Sequence, residues 1–260
     1  MRSAEWKENK KGNGKSAELL LIPAFETVPN IRHGFTTRAN GLGARIGGFK
    51  SPDDWNLVAD SFGIAPDKLV TVQQVHGDEI VVVKGNDYQD MRPRQADGLV
   101  TDSPGIAIGI ETADCVPVLI MDPQTPSVAA VHAGWRSTVK RIVQKAVSRM
   151  QHEFGSDPSR MIAAIGPAIG PECYEVDEPV MGPVRGAFPF WKEIAEARGN
   201  GRWSLDLRKL NSRELVQAGL KERNIHSLGM CTSCRRDLFY SFRAEGRTGR
   251  MLSAVMIEQR

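Results

Sequence analysis

Between Leu69 and Val131 the chain returns five times to one pattern, a short apolar run rich in β-branched residues and closed by polar or turn residues: Leu69–Val75, Ile80–Val83, Ile106–Ile110, Val116–Met121 and Val128–Val131. Runs of this length are strand-sized, and their Val and Ile content suits a pleated surface better than a helix. A sheet of such strands needs cover. Directly after the last run, Val139, Ile142, Val143, Ala146, Val147 and Met150 recur at helical spacing, so 137–153 is predicted as an amphipathic helix laid on the sheet. Further helices are expected over 179–187 and 210–223, and outlying strands at 19–22 and 251–257. No repeat and no Pro/Ser-rich linker divides the chain. The expectation is one mixed α/β domain over 17–260, preceded by a disordered tail over 1–16 that is rich in Lys, Glu, Asn and Gly.

An apolar fraction of 41% over 260 residues supports a sizeable core. The formal charge of +3 is accounted for by the tail, where Arg2, Lys7, Lys10, Lys11 and Lys15 face Glu5 and Glu8. The remainder is neutral on balance and carries no basic stripe with interleaved aromatics, which argues against a nucleic-acid partner. No stretch reaches the roughly 18 apolar residues of a membrane span. The charged N-terminus has no apolar core behind it, so a cytoplasmic protein with no membrane partner is expected. Four cysteines, Cys115, Cys173, Cys231 and Cys234, are too few for a disulfide framework and suit thiol or metal chemistry. Nothing in the sequence sets an oligomeric state.

Three potential metal ligands close β-rich runs: His76 in Gln-Gln-Val-His76-Gly, Cys115 in Thr-Ala-Asp-Cys115-Val and His132 in Val-His132-Ala-Gly-Trp. Strand ends are where side chains leave a rigid scaffold for a cleft. Two imidazoles and a thiolate suit zinc, and three protein ligands leave a position open, as in catalytic sites. The spacing alone is equally compatible with His76 capping a strand and Cys115 as a small buried hydrophobe. A third reading makes Cys115 a nucleophile and His132 its base. At 134–138 a strand turns into a helix at Gly-Trp-Arg136-Ser-Thr, where free amides and Arg136 suit an anion, though such connections are common. Arg38, before the glycine-rich loop 40–49, is a second candidate anion binder. That loop is either a disordered excursion or a flap over a site. Asp97, Glu111 and Asp114 stand near the ligand segments and can orient a histidine or move protons. Cys231-Thr-Ser-Cys234 looks like half a zinc finger, but a second such pair is missing, which favours two unpaired thiols.

Taken together, His33-Gly-Phe-Thr-Thr-Arg38, Val72-Gln-Gln-Val-His76-Gly, Ala96-Asp-Gly-Leu-Val-Thr101, Thr112-Ala-Asp-Cys115-Val-Pro, Val131-His132-Ala-Gly-Trp-Arg136, Gly166-Pro167 with Tyr174-Glu-Val176, Leu205-Asp-Leu207, Phe239-Tyr-Ser-Phe-Arg243 and Thr248-Gly-Arg250 resemble, in order, the bacterial laccase-domain family. This family, also called multicopper polyphenol oxidase-like, is regarded as comprising purine nucleoside phosphorylases with adenosine deaminase activity. The resemblance runs from about Ile31 to Ile257. It implies a four-layered α/β/β/α sandwich and zinc held by His76, Cys115 and His132. It also implies phosphorolysis of adenosine, inosine, guanosine and methylthioadenosine, with deamination of adenosine. Purine nucleosides and phosphate are the implied partners. Five histidines are too few for a four-copper oxidase, although His₂Cys is also a mononuclear copper set. Some relatives are described as peptidoglycan editing factors, which is the setting for the thiol-hydrolase reading. Ala168 and Asp177 stand where the family pattern leads one to expect serine and glycine.

Overall fold

The computed structural model describes residues 7–8, 17–85 and 94–259. In chain order its strands and helices are β1 (Lys7–Glu8), β2 (Leu19–Leu21), α1 (Pro23–Glu26), β3 (Ile31–Thr36), α2 (Pro52–Phe62), β4 (Leu69–Val70), β5 (Ile80–Val82) and β6 (Gly98–Thr101). They continue with β7 (Ala107–Thr112), β8 (Val116–Asp122), β9 (Ser127–Ala133), α3 (Trp135–Val139), α4 (Ile142–Phe154), β10 (Ile162–Ile165), β11 (Glu175–Val176) and α5 (Glu178–Ala187). The last are β12 (Ala195–Gly199), β13 (Arg202–Leu205), α6 (Leu207–Gln217), β14 (Ile225–Ser227), α7 (Phe242–Glu245) and β15 (Met251–Ile257). Within the expected tail, Lys7–Glu8 pair with β2; the rest of it lies outside the described residues.

Two six-stranded sheets form the centre. The first runs β1-β2-β3-β15-β7-β4, the second β14-β10-β8-β9-β6-β5, and a small sheet β11-β13-β12 lies to the side. Period-two alternation explains the stacking. On β15, Val255 and Ile257 face the inter-sheet core while Leu252, Ala254 and Met256 face α2 with its Val58 and Phe62. On β8, Leu119 and Met121 face the first sheet, whereas Val116, Val118 and Ile120 face Ile142, Val143, Ala146, Val147 and Met150 of α4 and Leu210 and Leu215 of α6. The order is therefore α2, first sheet, second sheet, α4 with α6: the four-layered α/β/β/α sandwich. Strands covered on both faces read as continuous apolar runs, which is why β8 and β9 stand out in the sequence. Truncating such a residue, Ile120→Ala for example, costs about 2–5 kcal/mol.

Three expectations are corrected. The helix expected over 137–153 is two, because Arg141 adopts a left-handed φ of 65° between α3 and α4. The strand expected over 69–75 stops at Val70, and 71–79 crosses from the first sheet to the second. The helix expected over 210–223 is α6, ending at Gln217. No described helix is long and apolar enough to cross a membrane.

Candidate active site

His76 lies on the crossing from β4 to β5 and Cys115 on the crossing from β7 to β8, both passing from the first sheet to the second. His132 closes β9, on the face of that strand turned toward the first sheet together with Val128 and Ala130. Chain topology thus delivers all three to one end of the inter-sheet seam. Their ligand atoms lie within 4.8 Å of one another, with Cys115 Sγ 3.9 Å from His76 Nε2 and the two imidazoles edge-on at 4.8 Å between centroids.

The backbone is bent to achieve this. His76 has φ 57° and Asp114 φ 88°, values that non-glycine residues adopt only when the surroundings enforce them. For His76 the enforcement comes from Asp97, whose carboxylate accepts the N–H groups of Val75, His76 and Gly77 at 3.2, 2.9 and 2.6 Å. For Asp114 it comes from Thr232 Oγ1 and the Arg243 N–H, each donating to the carboxylate at 2.6 Å. Asp97, fully buried, also accepts from His132 Nδ1 at 2.7 Å, which turns Nε2 toward the other two side chains. Opposite Cys115 stands Gly134, where a Cβ would come within 3.1 Å of both Cys115 Sγ and His76 Cδ2. A side chain at that position would crowd Cys115 and His76.

Burial alone would raise Asp97, but the bond and charge of His132 and the amides of Gly77 and Val75 hold it below the ordinary carboxylate range. Burial would also raise the Cys115 thiol, yet His132 and then His76 draw it down to about 6. His132 is disfavoured as a cation by burial and nevertheless rises to about 9 beside Cys115 and Asp97. These opposed shifts favour the thiolate form of Cys115, and a cation entering the cluster would compete with the His132 proton. Two nitrogens and one sulfur, oriented and with space between them, fit a divalent metal of the zinc class.

Two cavities meet at the cluster. One, about 310 Å³, is walled by Gly47, Gln74, Glu111, Thr112 and Arg250. The other, about 340 Å³, is walled by Trp135, Ile169, Tyr174, Leu207, Phe242 and Arg243 and shares His76, Cys115 and Arg250 with the first. Burial pushes Glu111 up to about 7, against the Phe49 N–H at 3.1 Å and the charge of Arg250. The Tyr174 hydroxyl is pushed up by burial and stays protonated. The glycine-rich loop 40–49 packs against this end, with Gly47 on the cavity wall and the Gly43 carbonyl accepting from the Arg250 N–H at 3.0 Å.

Of the two arginines singled out in the sequence, Arg38 is paired with Glu245 at 2.7 Å, donates to the Arg236 carbonyl and stacks on Tyr240. Arg136 is exposed and stacks on Trp135 at 4.2 Å. The arginines among the residues lining the two cavities are Arg243 and Arg250, carried in motifs that the resemblance names without assigning them a role.

A family model described as multi-copper polyphenol oxidoreductase laccase matches residues 52–258, and the chain belongs to that family. A purine nucleoside phosphorylase, YlmD, of Bacillus subtilis is 34% identical over 210 residues, 78% of this chain and 75% of that protein. A protein named adenosine deaminase RL5, from an unknown prokaryotic organism, is 34% identical over 206 residues, 76% and 78% of the two chains. The crystal structure of the Bacillus licheniformis hypothetical protein YfiH superposes with a TM-score of 0.85 at 31% identity, covering 95% of this chain and 98% of that one.

Proposed function

We propose that the protein is a zinc-dependent purine nucleoside phosphorylase acting on adenosine, inosine, guanosine and methylthioadenosine, and that it also deaminates adenosine. The observation that carries this reading is the meeting of two unlike cavities at one three-donor cluster. Trp135, Tyr174 and Phe242 give one cavity flat apolar walls suited to a purine. Gln74, Glu111 and Arg250 give the other the polar lining that a ribose and a phosphate require. Relatives named for both activities support the pairing.

A zinc ion held by His76, Cys115 and His132 would supply Lewis acidity and activate water at neutral pH. The other steps fall to the chain's own side chains. Asp97 holds His132 in the tautomer that faces the cluster. Glu111, poised near neutrality, takes or gives a proton at its carboxyl oxygen. Arg250, on both walls, orients the phosphate through its paired N–H donors, a role we assign to it ahead of Arg38 and Arg136. Incubating metal-replete protein with adenosine, with and without phosphate, tests the reading: adenine that requires phosphate, and inosine that does not, are expected. Absence of both overturns it.

One observation favours a second reading. His132 stands between Cys115 and Asp97 in the order nucleophile, base, orienting acid, as a thiol hydrolase acting on a cell-wall precursor would need. That reading predicts a His76–Cys115–His132 cluster that takes no metal and rapid alkylation at Cys115. Stoichiometric zinc lost on Cys115→Ala excludes it.

A further inference from the structure

We infer that the chain carries a second metal site, of closed structural type, formed by Glu172, Cys173, Cys231 and Cys234 and suited to one thiophilic divalent cation of the zinc class. Their ligand atoms all lie within 4.8 Å of one another. Cys173 Sγ is 3.4 Å from Cys234 Sγ, which in turn is 3.9 Å from Glu172 Oε1. Tetrahedral coordination with Zn–S of about 2.3 Å places donors roughly 3.5–3.8 Å apart, so the cluster is close to that spacing.

Two turns bring the ligands together across the sequence. In one, the Cys173 and Tyr174 N–H groups both donate to the Gly170 carbonyl, at 3.0 and 2.9 Å. In the other, the Arg235 N–H donates to the Cys231 carbonyl at 3.0 Å. The turns are stitched by a bridge between Ala168 and Cys231, with the Ala168 N–H on Met230 O and the Thr232 N–H on Ala168 O, each at 3.2 Å. Two details point to a ligand rather than to idle thiols. The buried Cys231 sulfur accepts the Gly170 N–H at 3.2 Å, the outer-shell bond that stabilises a thiolate. Glu172 folds back over the sulfurs through the space beside Gly170, where a Cβ would fall 2.1 Å from Oε1. Among the described residues no cationic side chain pairs with Glu172.

Cys-x-x-Cys supplies two donors from one turn, and the adjacent Glu-Cys pair completes the set. Four protein ligands leave no position for substrate, so the ion's work is mechanical. It would fasten the segment that carries Thr232 and Arg243, the two donors on Asp114, to the turn that carries Tyr174.

The site stands independently of the proposed enzymatic activity, and metal counting separates the two. Full-length protein refolded or expressed with zinc under reducing conditions should hold two equivalents. Cys115→Ala and Cys234→Ser should each hold one, and the double variant none. Should Cys234→Ser fail to fold, cobalt(II) loading of Cys115→Ala serves: intense thiolate-to-cobalt charge-transfer absorption, with Cys173 and Cys234 protected from alkylation, is expected. Cys115→Ala protein that binds no metal, with Cys173 and Cys234 alkylated freely or joined as a disulfide, overturns the assignment.

Discussion

The two sulfur-bearing clusters solve the same problem on opposite materials. His76, Cys115 and His132 project from crossings and a strand end of the central sheets, and Asp97 fixes both a backbone turn and an imidazole of that cluster. Rigidity comes from the scaffold, so a coordination position can be left open for chemistry. Glu172, Cys173, Cys231 and Cys234 sit on two turns outside the central sheets, Glu172 and Cys234 exposed. There the proposed fourth ligand would close the set, and a bound ion would fasten one turn to the other. The lesson is that openness at a metal site depends on how firmly the donors are held without the metal.

The strongest way to break this contrast is Cys115→Ala. Activity should fall by about 10³-fold or more, since members of one site act as a unit, while metal at the Cys173 cluster persists by elemental analysis. Glu111→Gln comes next, lowering kcat about 100-fold, as loss of a general acid or base does. The same variant removes an inflection near pH 7 from the rate profile. Its effect on stability has a defined sign: with the folded value raised from 4.5 to about 7, Glu111 stabilises the fold fully below about 4.5 and loses that contribution as pH rises through about 7. Denaturant midpoints across that window should slope downward in the parent and less so in Glu111→Gln. Asp97→Asn tests the claim of scaffold rigidity directly, with metal affinity at His76, Cys115 and His132 expected to drop about 10–100-fold. The smallest effect is Gly170→Ala, which displaces the Glu172 carboxylate: zinc affinity of the outer cluster should weaken by about tenfold, roughly the 1.4 kcal/mol of one peripheral ligand, with activity within about twofold of the parent.

What could be read in the sequence follows from where each signal resides. β8, β9 and β15 are covered on both faces, so their apolar runs are continuous, and the last strand is found at Met251–Ile257 as expected. α2 has a local signal without a strong apolar period: Ser51-Pro52-Asp53-Asp54 is a capped start, with the Ser51 side chain accepting from the Asp53 N–H, and Gly63 is a left-handed stop. The break at Arg141 leaves no trace, because the apolar spacing runs on through it. At the candidate site the motifs mark His76, Cys115 and His132, of which only His132 stands at a strand end, and the choice of Asp97 among three nearby acids depends on the β6–β9 register, which pairs Gly98 with Val131. Only half of the proposed outer cluster, Cys231 and Cys234, is marked in the sequence, since Cys173 is brought to it by the Ala168–Cys231 bridge. Motif membership also misleads about role. His33 opens one of the shared motifs, yet it is buried, its Nε2 accepts the Ile22 N–H at 2.8 Å, and burial lowers it to about 3, so it serves the fold as a neutral acceptor.

The position of His76 and Cys115 on the two crossings between sheets has a thermodynamic side. A cation gripping both, with His132 below, clasps the two halves of the sandwich at one end, so loading and folding become a single linked equilibrium. At a hundredfold excess over its dissociation constant a bound ion would add about 2.7 kcal/mol to the folded state. Reciprocity then runs the other way: any substitution deep between the sheets that lets them slide would be felt at the mouth as a leakier grip on the ion, long before the chain unfolds.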